Sequence, residues 1–98
     1  MKRRKLKEIA ISYLNQTVMN WEHQKVLNLL EERYDDLGIL IGDHTINISV
    51  NAFEEISSTK NRQLRVCVNV EDPSSFWKSF VLTGYNALYD VENREWLK

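Results

Sequence analysis

Apolar residues recur every three or four positions along the first part of the chain, which is the spacing of one face of an α-helix. A first stripe consists of Leu6, Ile9, Ala10, Tyr13, Leu14 and Thr17. A second consists of Val26, Leu29, Leu30, Tyr34 and Leu37. The two stripes are about 150° out of phase on a helix of 3.6 residues per turn, so one straight helix could not bury both. The pattern therefore predicts a helix pair, or a sharply bent helix, over residues 1–37.

The ends of the second helix are predicted from its flanking residues. The break between the helices should fall between Asn15 and Asn20, and Asn20 suits the N-cap because its side chain can accept a hydrogen bond from a free backbone N–H. Gly38 suits the C-terminal stop because glycine takes the left-handed conformation that closes a helix.

Gly38 is followed by a short apolar run, Ile39 to Ile41, and by a predicted turn or bulge at residues 42–44. Beyond that turn the apolar residues alternate with polar ones, as in half-buried strands. One alternating set consists of Ile46, Ile48 and Val50, and the next of Leu64, Val66, Val68 and Val70. The turn-forming segment 57–61 lies between them, so we predict that these strands pair as an antiparallel hairpin. Farther on, Asp90 and Asn93 are turn formers between Tyr89 and Trp96, which predicts a closing hairpin.

The segment between these hairpins fits two structures. It could be a helix capped by Asp72, with Pro73 in its first turn and Gly84 as its stop. It could equally be a strand from Phe76 to Thr83, since it is rich in aromatic and β-branched residues, and we favour the strand. The whole pattern predicts a single α+β domain over residues 1–98. In it, an N-terminal helix pair packs on one face of an antiparallel meander sheet of three to five strands, in two layers.

Charge is distributed unevenly along the 98 residues. Five of the 13 basic residues lie in the first seven positions, whereas the remaining 91 residues hold 8 basic and 14 acidic groups. The arm formed by Lys2, Arg3, Arg4 and Lys5 could contact the phosphates of a nucleic acid, although an acidic body disfavours a long duplex. The simpler expectation is that residues 1–5 form a frayed, solubilising terminus.

Composition also narrows the class of protein. No apolar run approaches the roughly 20 residues of a membrane span, so no membrane association is predicted. The single cysteine excludes an internal disulfide, and the basic start lacks the features of a secretory leader. We therefore expect a cytoplasmic protein.

Two features are candidate contacts for a protein partner. The carboxylates of Glu31, Glu32, Asp35 and Asp36 should cluster on the flank of the second helix, where they could attract a basic surface. Six of the ten aromatic residues lie in the last 23 positions. Among them, Trp77 and Tyr85 are candidate interface residues, and this aromatic segment could also support a homodimer.

Candidate catalytic groups are few. Cys67 shares the polar side of its strand with Arg65, and His23 and His44 lie far from it in sequence. These groups match no spaced metal motif, so we predict neither a metal nor another cofactor. The sequence therefore favours a non-enzymatic module that binds a macromolecular partner stoichiometrically, in the manner of immunity proteins and inhibitors. The alternative is a small-ligand or enzymatic pocket between sheet and helices, with His44 or Cys67 near its mouth.

Overall fold

Two helices lie on one face of a five-stranded antiparallel sheet in the computed structural model, which describes residues 1–73 and 81–97. The helical part comprises α1 (Arg3–Gln16), a 3₁₀ turn (Val18–Asn20), α2 (His23–Leu27) and a second 3₁₀ turn (Asn28–Leu30). The strands are β1 (Tyr34–Ile41), β2 (His44–Ile56), β3 (Arg62–Asp72), β4 (Val81–Asp90) and β5 (Glu95–Leu97). They follow one another in the sheet in chain order. The predicted α+β class, with a helix pair on a meander, is confirmed.

The core lies between α1 and the middle of the sheet. The first predicted stripe supplies the buried side of α1 through Leu6, Ile9, Ala10 and Leu14. This side packs mainly against β3 and β4. Val68 lies at the centre of the sheet, opposite Val50 on β2 and Tyr85 on β4. The alternating valines of β3 are all fully buried, as their period of two predicts.

Both predicted hairpins are present. β2 pairs with β3 along its length from Asn47↔Glu71 to Ile56↔Arg62, and the segment 57–61 forms the turn. β4 pairs with β5 through Tyr89↔Trp96, and the rings of these two residues meet edge to face at 4.9 Å. The α1 helix ends at Gln16, inside the interval where the break was predicted.

The second helix is shorter than predicted. Its N-cap is Glu22 rather than Asn20, and regular helix ends at Leu27. The residues from Tyr34 onward, which we assigned to the helix, belong to β1. Gly38 takes the expected left-handed conformation, with φ 73°, but it lies in a bulge of β1 where the register with β2 shifts. Its backbone N–H donates to the Asn47 side chain across the bulge, so the glycine serves an edge strand and not a helix end.

The prediction for residues 72–84 is resolved only in part. The section 76–80 of the predicted strand lies outside the described residues, whereas 81–83 belong to β4. The alternative prediction, a helix that stops at Gly84, is therefore wrong for residues 81–83. Asp72 is the last residue of β3 and not a helix cap.

The turn after β4 depends on the carboxylate of Asp90. Its Oδ1 accepts hydrogen bonds from the backbone N–H groups of Asn93 and Glu92 at 3.1 and 3.0 Å, and its Oδ2 accepts one from the Asn93 side-chain amide at 2.9 Å. The bonds from Asn93, with a smaller contribution from Glu92, hold the pKa of Asp90 below its usual value. The folded state therefore favours the ionised carboxylate.

We expect the stabilisation by Asp90 to be present at neutral pH and to be lost in acid. The contribution is complete above the unfolded carboxyl pKa of about 3.9 and disappears as the pH falls through the lower folded value. Asp90→Ala should thus lower the melting temperature at pH 7, and the gap from wild type should narrow between pH 4 and pH 2.5. Thermal unfolding followed by circular dichroism measures this, with the exposed Asp43→Ala as control. An unchanged gap at pH 2.5 would contradict the assignment.

Candidate binding groove

A groove runs between α1 and the edge strand β1. Its volume is about 580 Å³. Its apolar lining comes from Ile9 on the helix and from Ile39, Ile41 and Ile48 on the sheet, and its rim carries Lys5, Glu8, Ser12, Tyr13, Gln16, Thr17 and Asp36. An apolar floor with a polar rim is the usual composition of a site that binds a partly apolar ligand.

The groove exists because α1 does not lie over the whole sheet. The helix packs on β3 and β4, which lie toward the other side of the sheet from β1. The helix-side face of β1 therefore remains only partly covered. Ile39 and Ile41 are half-buried, whereas Ile48 is fully buried at the floor. Apolar surface that the fold leaves half-covered can gain free energy when a ligand covers it.

One end of the groove is fixed by a hydrogen bond between helix and strand. The Tyr13 hydroxyl donates to Asp36 Oδ2 at 3.0 Å. Burial, and then the hydrogen bond and charge of Asp36, raise the pKa of Tyr13 far above its usual value. The hydroxyl thus stays protonated and holds the Asp36 carboxylate in place at neutral pH.

The other end of the groove is basic. Lys5 lies on its rim, and Lys2 and Arg4 lie with it around an adjoining hollow of about 420 Å³. Among the described residues around this hollow, Glu8 is the one acidic group. Its Oε2 lies 4.0 Å from Lys5 Nζ, and both side chains are more than half exposed. Such an exposed pair is weak, so Lys5 remains able to interact with an anion.

The strand that borders the groove also has an open edge. β1 is the first strand in the sheet order, and within the described part of the chain no strand pairs with its outer side. Two large apolar side chains on it are exposed, Leu37 by 67% and Leu40 by 70%. Unpaired backbone groups on an edge strand can pair with another extended chain.

The predicted acidic cluster is not assembled as expected. Because Asp35 and Asp36 belong to a strand, their side chains lie on opposite faces of the sheet, and Asp35 pairs with Arg33 at 2.9 Å. Glu31 and Glu32 are exposed just after the second 3₁₀ turn. The placement of all four on a helix flank is wrong, and their contact with a partner remains a prediction.

Of the two aromatic residues predicted to contact a partner, the structure describes only Tyr85. Trp77 lies outside the described residues. Tyr85 is on β4 opposite Val68, which puts it on the helix-bearing face, and it is 40% exposed. A separate aromatic cluster joins Trp21 and Tyr34 edge to face at 4.9 Å, with Lys25 Nζ over both rings. Sequence patterns gave no sign of this cluster, because its members come from separate elements.

The basic segment lies at the start of α1, and the fraying of residues 1–5 stays a prediction. Residues 3–5 form the first turn of α1, and the α-amino group of Met1 contacts Asp72 Oδ2 at 3.0 Å. The side chains of Lys2, Arg3, Arg4 and Lys5 are exposed. Their interaction with nucleic acid stays a prediction.

Cys67 and the two histidines lie apart from one another. Cys67 is half-buried on the sheet face away from the helices. Burial raises the pKa of its thiol; the charge of Arg65 lowers this pKa, and the charge of Glu55 raises it further. His44 Nδ1 lies 3.4 Å from Asp72, whereas His23 Nδ1 lies 2.7 Å from the Tyr89 hydroxyl. None of the three lines the groove. The alternative with His44 or Cys67 at the mouth of a pocket thus gains no geometric support from this groove.

Two kinds of feature are absent from the described residues. Over residues 1–73 and 81–97, no group of three His, Cys, Asp or Glu side chains could hold a metal ion. No helix in the same ranges has the length and hydropathy needed to cross a membrane.

Comparison of the chain with protein-family models, with curated proteins and with solved structures finds no match. The function is therefore inferred from the groove and the open edge of β1 alone.

Proposed function

We propose that this protein is a non-enzymatic binding module that captures an extended segment of a partner protein along the outer edge of β1. The bound segment would add a sixth strand to the sheet and direct every second side chain toward the groove. The single observation that supports this is that the open edge and the half-covered apolar groove lie side by side on the same strand.

Strand addition matches the chemistry of both features. Backbone hydrogen bonds to a sheet edge give affinity for any extended chain, and a pocket beside the edge selects the alternate side chains. The residues of β1 that face the helices, Ile39 and Ile41, form one wall of the groove. A partner side chain that reaches this wall would cover apolar surface that α1 leaves open.

The proposal is tested with a fluorescein-labelled peptide, Ser-Thr-Val-Thr-Leu-Thr-Val-Thr-Ser, whose apolar residues alternate. Fluorescence anisotropy should report saturable one-to-one binding. Ser12 is an exposed rim residue of α1, so Ser12→Trp should fill the groove without disturbing the core and weaken binding at least tenfold. Lys7→Trp adds the same ring to an exposed position of the same helix outside the groove lining, and it should leave the affinity unchanged.

N-methylation of the peptide separates strand addition from binding by side chains alone. A strand points alternate N–H groups to opposite sides, so methylating one alternate set should abolish binding and methylating the other should not. Equal affinity of both methylated peptides, or equal effects of Ser12→Trp and Lys7→Trp, would contradict the proposed site.

A further inference from the structure

We infer that the preferred partner segment carries an acidic residue, an apolar residue and a basic residue at alternate positions, in that order from its N-terminus. This inference rests on the proposed function and adds the chemistry and direction of the segment. It follows from the charges at the two ends of the groove, the distance between them and the direction of the edge strand.

The two ends carry opposite charge. Asp36 lies at one end, and Lys5 lies at the other together with Lys2 and Arg4. Asp36 receives a hydrogen bond from Tyr13 but takes part in no salt bridge within the described ranges. A half-buried carboxylate without a cation can gain from a basic side chain of a ligand.

The distance between these ends fits three alternate side chains. Lys5 and Tyr13 are eight residues apart on α1, which is about 12 Å at 1.5 Å per residue. An extended chain covers that length in about four residues, at roughly 3.4 Å each. Positions i, i+2 and i+4 share one face of a strand. The outer two would meet the charged ends, and the middle one would meet the isoleucines.

The direction of the segment follows from contacts at the ends of β1. The Met1 amino group and His44 both contact Asp72, and His44 pairs with Ile41, so the start of α1 lies at the end of β1. Tyr13 meets Asp36 in the first half of β1, and α1 therefore runs antiparallel to this strand. A partner that adds antiparallel to β1, the more stable pairing, runs from the Lys5 end to the Asp36 end. Its acidic residue must then come first.

Two peptides of equal composition test the inference. Ser-Thr-Glu-Thr-Leu-Thr-Lys-Thr-Ser should bind about tenfold more tightly than Ser-Thr-Lys-Thr-Leu-Thr-Glu-Thr-Ser in anisotropy titrations at low salt. The difference should shrink at 0.5 M NaCl, because salt screens the charge of the exposed Lys5. Lys5→Glu should remove most of the preference, whereas Lys7→Glu makes the same charge change outside the groove lining and should retain it.

The outcomes separate this inference from the proposed function. If both charged peptides bind equally, and as tightly as the neutral peptide, strand capture stands and the charge order is wrong. A preference for the reversed peptide would overturn the antiparallel direction. If no peptide binds and gel filtration shows a dimer, the edge pairs with a second copy of the chain, and both proposals fail.

Discussion

Replacing Asp72 by alanine is expected to lower the free energy of unfolding by about 3 kcal/mol, the lower end of the range for breaking a buried ion pair. The Asp72 side chain is 1% exposed, and its Oδ2 lies 3.0 Å from the Met1 amino group and 3.4 Å from His44 Nδ1. Without the carboxylate, the amino group would lose this partner at a nearly buried position. His44 is 43% exposed and can turn to water, which keeps the effect at the lower end.

Urea unfolding followed by tryptophan fluorescence measures this loss. Asp43→Ala removes the same charge from the exposed turn between β1 and β2, and it should change the free energy of unfolding by less than about 0.5 kcal/mol. If Asp72→Ala and Asp43→Ala lowered the free energy of unfolding equally, the buried contacts of Asp72 would not contribute to stability as proposed. That contact also ties the start of α1 to the end of β3, so its loss should loosen the basic end of the groove.

Leu14→Ala should destabilise the protein by a similar amount, about 3 kcal/mol, through lost burial and the cavity left behind. Leu14 is fully buried on the side of α1 that packs against the sheet. For a domain of this size the loss corresponds to a fall in melting temperature of about 15 °C. Differential scanning calorimetry measures it directly.

Leu37→Ala is the matched control for this core substitution. The same atoms are removed from a side chain that is 67% exposed on β1, so the melting temperature should stay within a few degrees of wild type. If Leu37→Ala were as damaging as Leu14→Ala, the burial of Leu14 would not explain its contribution to stability. The control also shows whether the exposed leucines of β1 contribute to folding or remain available for a partner.

Regular periodicity made α1, β2 and β3 predictable. The apolar stripe from Leu6 to Leu14 keeps one helical spacing and lies on the buried side of α1. The valines of β3 occupy every second position without interruption. In both elements the local pattern agrees with the burial that the fold imposes. The turn at Asp90 was predictable for a similar reason, because its side chain bonds to the backbone only two and three residues away.

The sequence predicts helix for the start of β1, residues 34–37, because the apolar residues there do not alternate. Tyr34 and Leu37 continue the spacing of Val26 and Leu29 by coincidence, across the end of the helix. The bulge at Gly38 then changes which residues face the core and leaves Leu37 and Leu40 exposed. Pairing with β2 decides the structure of this segment, and that interaction cannot be read from a local window.

The groove could not be predicted from the sequence, because it depends on where α1 crosses the sheet. Ile39 and Ile41 look like ordinary core residues in the sequence, and a helix one strand farther over would have covered them. The acidic run in the sequence predicts Asp36 as a partner contact. Its position beside Tyr13 is instead set by the approach of α1 to β1. The position of α1 on the sheet is set by packing between helix and sheet, which produces no periodic pattern in the sequence.

Amide hydrogen exchange measured by NMR, with and without saturating Ser-Thr-Glu-Thr-Leu-Thr-Lys-Thr-Ser, tests strand capture at β1 most directly. We expect the peptide to slow exchange at alternate amides of Tyr34–Ile41, those that point away from β2, and to leave β4 unchanged. Slowed exchange in β4 or on α1 alone, with β1 unaffected while the peptide is bound, would contradict it.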